Sequence, residues 1–334
     1  MRLLPRAALA LALLLLTGCA GAPAPADPPP VGTRAVTHER GTVEVPADAG
    51  AVVALDEYAA LNLLTVGVRP TAVFGGLSSE LGATVLREAG LTVTPSPTMI
   101  TSPDLEAIAA TRPDVIVLTS PGSLLDTTYP QLSAIAPTLV LPFEGDWREP
   151  VRIAGAAFGA EDRAGSVVRL LEERLTQLRA ATARRPLQLS VLGSFQEMLY
   201  SPAPANPGSR LVADAGITRP EPELAAAAGA SASTIPVSAE TLPAHHSDVV
   251  VVLDGSIYDA DAVTGLPTFA ALPAVRAGRT ARAVGEMWAG GTALATWWVL
   301  DDLAVLTDGG LTLGTVDDGP ARAAALQAAV DGAS

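Results

Sequence analysis

Two passages of the chain, SPDLEAIAATRPDVIVL and PVSAETLPAHHSDVVVVL, follow one pattern. Each carries a glutamate, Glu106 or Glu240, and eight residues later an aspartate, Asp114 or Asp248. Each aspartate runs straight into an unbroken apolar stretch, Val115 to Leu118 or Val249 to Leu253. A strand with one wet face alternates apolar and polar residues. An unbroken β-branched run is instead buried on both faces, as in a parallel sheet covered by helices. Written twice, the pattern predicts two lobes on one plan, each with a short helix that opens with a glutamate and feeds a buried strand.

The surrounding sequence fills in that plan. Val52 to Leu55 precedes a helical stretch through Leu64, Thr71 to Phe74 precedes another through Ala89, and Val115 to Leu118 a third that includes Tyr129 and Leu132. The second half repeats the alternation: Leu189 to Leu192, a helix near Leu211 to Ala215, Val249 to Leu253, then Ala281 to Val284 and a helix through Leu306. Between the halves lies WREPVRIAGAAFGAEDRAGSVVRLLEERLTQLRAATARR. There Val167, Leu171, Leu175 and Leu178 share one helical face, and Arg169 and Glu173 can pair across a turn. No proline interrupts Glu161 to Arg185, so some twenty residues make a rod of roughly 30 Å. Such a rod can join two lobes or pack on one of them as an ordinary helix. At 334 residues the chain is long enough for two cores. The expected fold is α/β: two three-layer α/β lobes with mainly parallel sheets, 35–147 and 186–334, joined by one long helix within 148–185, with the ligand cleft between them.

The first residues, MRLLPRAALALALLLLTGC, read as an export signal over 1–18: arginines at Arg2 and Arg6, an apolar run from Ala7 to Leu16, then small residues. The run falls short of the ~20 residues of a comfortable bilayer span. Leu16-Thr17-Gly18-Cys19 resembles the bacterial lipobox, whose cysteine is acylated, and Cys19 is the only cysteine, so a disulfide within the chain is excluded. The Pro/Ala-rich stretch 19–34 reads as an extended tether. A net charge of -14 argues against a nucleic-acid partner, which needs basic surface. All 21 basic residues are arginine, a bias that fits a high-GC Gram-positive cell surface, with the periplasm as the alternative.

The order of lipobox, first lobe, long helix and second lobe is similar to the solute-binding lipoproteins of bacterial ABC importers, in the branch that carries ferric siderophores, haem and cobalamin. DLEAIAATRPDVIV resembles that family's helix and strand ending in Pro-Asp, YPQLSAIAPTLVL its following segment, and LPAVRAGRTARAVGEMW with ATWWVLDDL its closing strand and helix. The resemblance spans about residues 35 to 310. It implies a monomeric receptor without catalytic activity or cofactor, whose ligand is an iron chelate and whose partners are an ABC permease dimer and, through Cys19, a membrane. It also implies that Glu106 and Glu240 dock on permease arginines. A glutamate in a helical first turn also stabilises the helix dipole wherever it occurs. A haem or cobalamin receptor is the alternative within the family, and a surface enzyme or adhesion module the alternative outside it.

In open α/β sheets ligands sit beyond the carboxyl ends of the strands. The strand ends here carry Tyr58, Phe74, Ser120, Phe195, Tyr258 and Trp288. Five of these are among only thirteen aromatics in the chain, which marks the strand ends as a ring-lined cleft. Arg210, at a helix start, is the arginine placed to meet ligand oxygens. Asp56, Glu57, Asp254 and Glu286 share the same junctions, so the cleft is not strongly cationic, and a neutral or cationic hydroxamate complex suits it better than a tris-catecholate. His38, His245 and His246 read as solvated residues at a helix end. The adjacent pair would diverge by about 100° on a helix and cannot share a zinc. No nucleophile elbow, phosphate loop or metalloprotease helix is present.

Overall fold

Each apolar run singled out above between Val52 and Val284 forms a strand. The computed structural model describes residues 32–75, 79–95, 103–120, 124–224 and 233–333, so Cys19, the signal and most of the tether lie outside it. An antiparallel hairpin, β1 (Thr33–His38) and β2 (Gly41–Pro46), comes first. Then follow β3 (Val52–Ala54), α1 (Glu57–Thr65), β4 (Ala72–Gly75), α2 (Glu80–Glu88), β5 (Val93–Pro95), α3 (Leu105–Ala110), β6 (Val115–Ser120), α4 (Leu124–Ser133) and β7 (Thr138–Pro142). Two helices, α5 (Arg148–Phe158) and α6 (Glu161–Arg184), carry the chain to β8 (Leu189–Phe195), β9 (Met198–Pro202), α7 (Pro207–Asp214), β10 (Thr234–Pro236) and β11 (Val249–Asp254). The chain ends with α8 (Ala260–Thr264), α9 (Pro267–Ala270), α10 (Pro273–Arg276), β12 (Thr280–Val284), α11 (Gly285–Ala289), α12 (Ala293–Thr307) and α13 (Gly319–Ala333).

The first sheet, in the order β5-β4-β3-β6-β7, is parallel throughout. The second, β10-β9-β8-β11-β12, is parallel only across β8, β11 and β12, because β9 runs antiparallel to both of its neighbours. Successive strand residues feed opposite layers, as the pleat requires. Val52, Ala54, Val115 and Val117 join the large core shared by both halves, while Val53 and Ile116 join a smaller cluster with Leu55, Phe74 and Ile108. In the second sheet Val249, Val251 and Leu253 face the shared core, and Val250 and Val252 face Phe269 and Leu272. Each half is thus three layers deep.

The repeated aspartates do the same job in both sheets. Asp114 Oδ2 accepts from the backbone N–H groups of Gly50 and Ala51, 2.8 Å each, while Ala51 O accepts from Asp114 N. Asp248 Oδ2 accepts from Gln188 N at 2.8 Å, and Gln188 O accepts from Asp248 N. Each carboxylate pins the entry of the neighbouring parallel strand, β3 or β8. The helical half of the repeat holds once. Glu106 lies in the first turn of α3, but Glu240 lies in a turn ahead of a single 3-10 turn, Leu242–Ala244. Pro243 has no N–H to give a helix interior, which accounts for the difference.

α6 supplies the expected rod, and its Val167, Leu171, Leu175 and Leu178 are buried. Its polar face departs from the expected Arg169–Glu173 pair: Arg169 donates to Ser166 Oγ and to the Ala333 carbonyl, and Arg174 pairs with Asp301 of α12. α6 is therefore a packed spine between α5, α12 and α13. The C-terminal end also returns to the first half. α13 packs on α2 and α6, buries Leu326 and Val330, and is tied by Arg163 to Gln327 and Asp331 at 2.6 Å. α13 thus packs on α2 of the first half as well as on α6 and α12, although it lies within the expected second lobe, 186–334. No helix among the described residues is long and apolar enough to cross a membrane.

Candidate functional site

The carboxyl ends of β3, β8, β11 and β12 converge where the two halves meet. From the first half, Asp56 caps α1 by accepting from Ala59 N (2.7 Å) and ties it to β6 by accepting from Thr119 N (2.6 Å). This places Tyr58 one residue into the helix, with its ring edge-on to Phe143 at 5.4 Å and its hydroxyl donating to the Glu286 carbonyl at 3.5 Å. From the second half, Glu286 Oε1 accepts from Ser256 N at 2.8 Å, and Ser256 Oγ accepts from Glu80 N at 3.2 Å, across to α2. Glycines allow the approach. A Cβ at Gly290 would meet the Tyr58 ring at 2.9 Å, and one at Gly291 would collide with the Phe143 carbonyl. Gly255, at φ 146, leaves the Glu286 carboxyl room that any side chain would fill.

The seam is rich in acids and phenols. Asp56, Glu57 and Glu286 are all at most 3% exposed. Burial pushes Asp56 up to about 7, and it also raises Glu286 above the usual carboxylate range and Tyr58, Tyr200 and Tyr258 above the usual phenol range. Burial is the largest cause of all five shifts, and no cation is among their named causes. Arg282, on β12, is engaged by Asp254 and Asp261 at 3.1 and 2.6 Å. Among the described residues the site offers hydrogen-bond acceptors and aromatic surface, and its nearest named cation, Arg282, is already paired.

The expected ligand residues separate on inspection. Tyr58 and Tyr258 come together around Glu286, and Phe195 is half-buried at the end of β8. Phe74 is 4% exposed and belongs to the smaller cluster of the first half. Trp288 is 2% exposed and its indole N–H donates to Asp302 at 2.9 Å, so it is a core residue with a satisfied polar tip. Arg210 is exposed on α7, and Ser120 closes β6, its side chain lying outside the described set. Tyr200, Phe143 and Ser256 were not among the expected residues. Tyr200 sits on a hairpin strand without a turn signature, and Phe143 and Ser256 follow strands without chemistry that singles them out.

The histidines depart from expectation. His245 is 2% exposed and meets Glu223 Oε1 at 3.0 Å, inside a network in which Arg219 donates to Glu223, Ser201, Ser209 and the Pro202 carbonyl. His38 is also buried, beside Tyr129, and burial lowers its pKa. Only His246 is exposed. Among the described residues, no group of His, Cys, Asp and Glu side chains could hold a metal ion.

The profile of the family described as "Periplasmic binding protein" matches residues 90–283, more than half of the chain, and the chain belongs to that family. It is a binding protein and not an enzyme, which removes the surface-enzyme alternative. A "Probable siderophore-binding lipoprotein YfiY" of Bacillus subtilis (strain 168) is 26% identical over 151 residues, 44% of this chain and 45% of that protein. The "Ferric enterobactin-binding periplasmic protein FepB" of Escherichia coli O6:H1 is 28% identical over 191 residues, 53% of this chain and 58% of that one. The chain spans about half the length of the curated relatives it matches. The crystal structure of Staphylococcus aureus SirA complexed with staphyloferrin B shares the fold, with a TM-score of 0.67, 21% identity, and coverage of 82% of this chain and 97% of that one.

Proposed function

We propose that this protein is an extracytoplasmic receptor that captures a ferric siderophore in the seam between its lobes and delivers it to an ABC permease. Support comes from the family, from the siderophore-binding names of its relatives, and from the acid- and phenol-rich seam beyond the strand ends. The observation that carries the choice of ligand is the set of buried acids at the seam, Asp56, Glu57 and Glu286, while Arg282 is already engaged by Asp254 and Asp261. Holding a multiply anionic tris-catecholate against buried carboxyls costs Coulomb energy with no compensating guanidinium. A neutral or cationic tris-hydroxamate avoids that cost.

Glu106 and Glu240 are exposed and lie ahead of the equivalent strands β6 and β11, which suits a pair of acidic contacts with permease arginines. Acylation of Cys19 would hold the receptor at the membrane. The deciding experiment is equilibrium titration of the purified protein against a ferric tris-hydroxamate, a ferric tris-catecholate, haem and cobalamin. Saturable 1:1 binding that is tightest for the hydroxamate is expected. Tightest binding of haem or cobalamin, or no binding of any ferric chelate, overturns the reading. For docking, alanine at both Glu106 and Glu240 should leave that affinity unchanged and lower cellular uptake; normal uptake at normal protein level refutes it.

A further inference from the structure

We propose that Glu286 is the residue that recognises a cationic arm on the bound chelate, so that the receptor selects ferric complexes carrying a protonated amine over those that lack one. This rests on the ferric-chelate reading above and goes beyond it by naming the group and the charge it reads.

Of the buried acids at the seam, Glu286 alone has an oxygen without a partner among the described residues. Asp56 uses both oxygens, one on Ala59 N and the other on Thr119 N. Glu57 lies against Gly75 and has interactions of its own. Glu286 spends Oε1 on Ser256 N, while Oε2 is buried with no hydrogen bond. Buried acceptors are almost always satisfied, and one that is not calls for an explanation. Oε2 lies against Gly255, the first residue beyond β11, where any Cβ would collide with it. The unpaired oxygen is therefore at the carboxyl end of the sheet, where ligands of such folds bind.

No neighbouring element supplies a counter-ion, and the nearby donors, Ser256 and the backbone N–H groups of Glu286 and Ile257, leave Oε2 without a hydrogen bond. α1 brings Tyr58, whose hydroxyl goes to the Glu286 carbonyl, with Asp56 and Glu57 beside it. The segment after β11 brings Tyr258 and Ser256, and β9 brings Tyr200, near enough to influence Tyr258. On α12, Asp302 is taken by Trp288, Gly314 N and Arg322. On β12, Arg282 is engaged by Asp254 and Asp261, and on α7 Arg210 is exposed. A carboxylate held in this way, with one oxygen oriented and one open, favours a cation over a neutral donor, because the pair is poorly screened once water is excluded. The hydrogen bonds that cross the seam include Tyr58 to Glu286 O at 3.5 Å, Glu80 N to Ser256 Oγ at 3.2 Å and Ala293 N to Asn62 Oδ1 at 3.4 Å.

The test uses two probes with one ferric core: a linear ferric tris-hydroxamate with a pendant primary ammonium, and the same complex N-acetylated at that amine. The full-length protein should bind the ammonium form at least about tenfold more tightly than the acetylated one at pH 7.5. Glu286→Gln, a variant of the same shape, should bring the ratio to about one. Equal affinities in the unmodified protein, or a preference that survives in E286Q, overturn the assignment and leave the receptor reading standing. Failure of the unmodified protein to bind either complex overturns the receptor reading itself. A second measurement needs no variant: because burial raises the Glu286 pKa, the ratio should shrink as pH falls and the carboxylate is protonated. A ratio that is constant from pH 7.5 to 4.5 contradicts the proposal.

Discussion

In the first sheet every strand after β3 is reached through a helical crossover, whereas in the second sheet β8 folds straight back into β9. The two sheets begin alike, with Asp114 and Asp248 pinning the entry of the neighbouring strand. The crossover brings an apolar helix, α1, whose buried Leu61 and Leu63 join the shared core. The hairpin brings no helix. Against β8 and β9 lies a buried polar cluster instead: Glu223 accepts from Arg219 at 2.6 Å, from Val191 N at 3.2 Å and from Ser190, and meets His245. One topological choice therefore adds to the packing of this half a buried charge network around Glu223.

The largest effect should come from breaking that network. Glu223→Ala leaves the Arg219 guanidinium, 4% exposed, without its carboxylate, and should cost about 3–5 kcal/mol in chemical denaturation. A cost under about 1 kcal/mol would show that the second half is held by packing after all. The same contrast appears in pH. Burial tends to raise the Glu223 pKa, but His245, Arg219 and Ser190 outweigh it and hold it below the ordinary glutamate value. Its stabilisation is complete above that value and is lost as pH falls through the depressed one. Asp56 in the first half behaves oppositely. With its pKa pushed up to about 7, the native state holds the proton more tightly, so stability declines as pH rises from about 4 to about 7. Glu223→Gln should flatten the acid limb of a stability–pH profile, and Asp56→Asn the limb between pH 4 and 7.

Next in size, Leu326→Ala in α13 should cost about 2–4 kcal/mol, since its side chain is 1% exposed. Its loss should raise amide exchange in α2 of the first half before that in β11 of the second. The reverse order would place α13 with the second sheet, as chain order alone expects. The smallest effect is a gain. Gln196 and Glu197 take φ of 49° and 64° in the β8–β9 turn, a region that costs a side chain roughly 1–2 kcal/mol. Glu197→Gly should stabilise the protein by about 0.5–1 kcal/mol, seen as a raised thermal midpoint, and a lowered midpoint would mean that the side chain does something the backbone does not reveal.

These turn residues also show why the sequence was read unevenly. The parallel strands were legible because Val115 to Leu118 and Val249 to Leu253 are unbroken apolar runs, and only burial on both faces produces them. The hairpin was not, because Gln-Glu lacks the Asn-Gly or Gly that announces a two-residue turn. At the site, Tyr58, Tyr258 and the acids Asp56 and Glu286 were marked by their place after strands. Position after a strand could not separate them from Trp288, whose partner Asp302 is fourteen residues away on another helix. His245 read as solvated because its partners, Glu223 and Arg219, are distant in sequence.

Hydrogen–deuterium exchange with and without a saturating ferric tris-hydroxamate tests most directly whether ligand is held by both halves at their seam. Amides at the start of α1, at 255–258 and through α11 should slow together, while those around the Arg219–Glu223 cluster stay unchanged. Protection confined to one half, or centred on the apolar groove of Leu61, Val85 and Leu326 between α1, α2 and α13, would contradict the account.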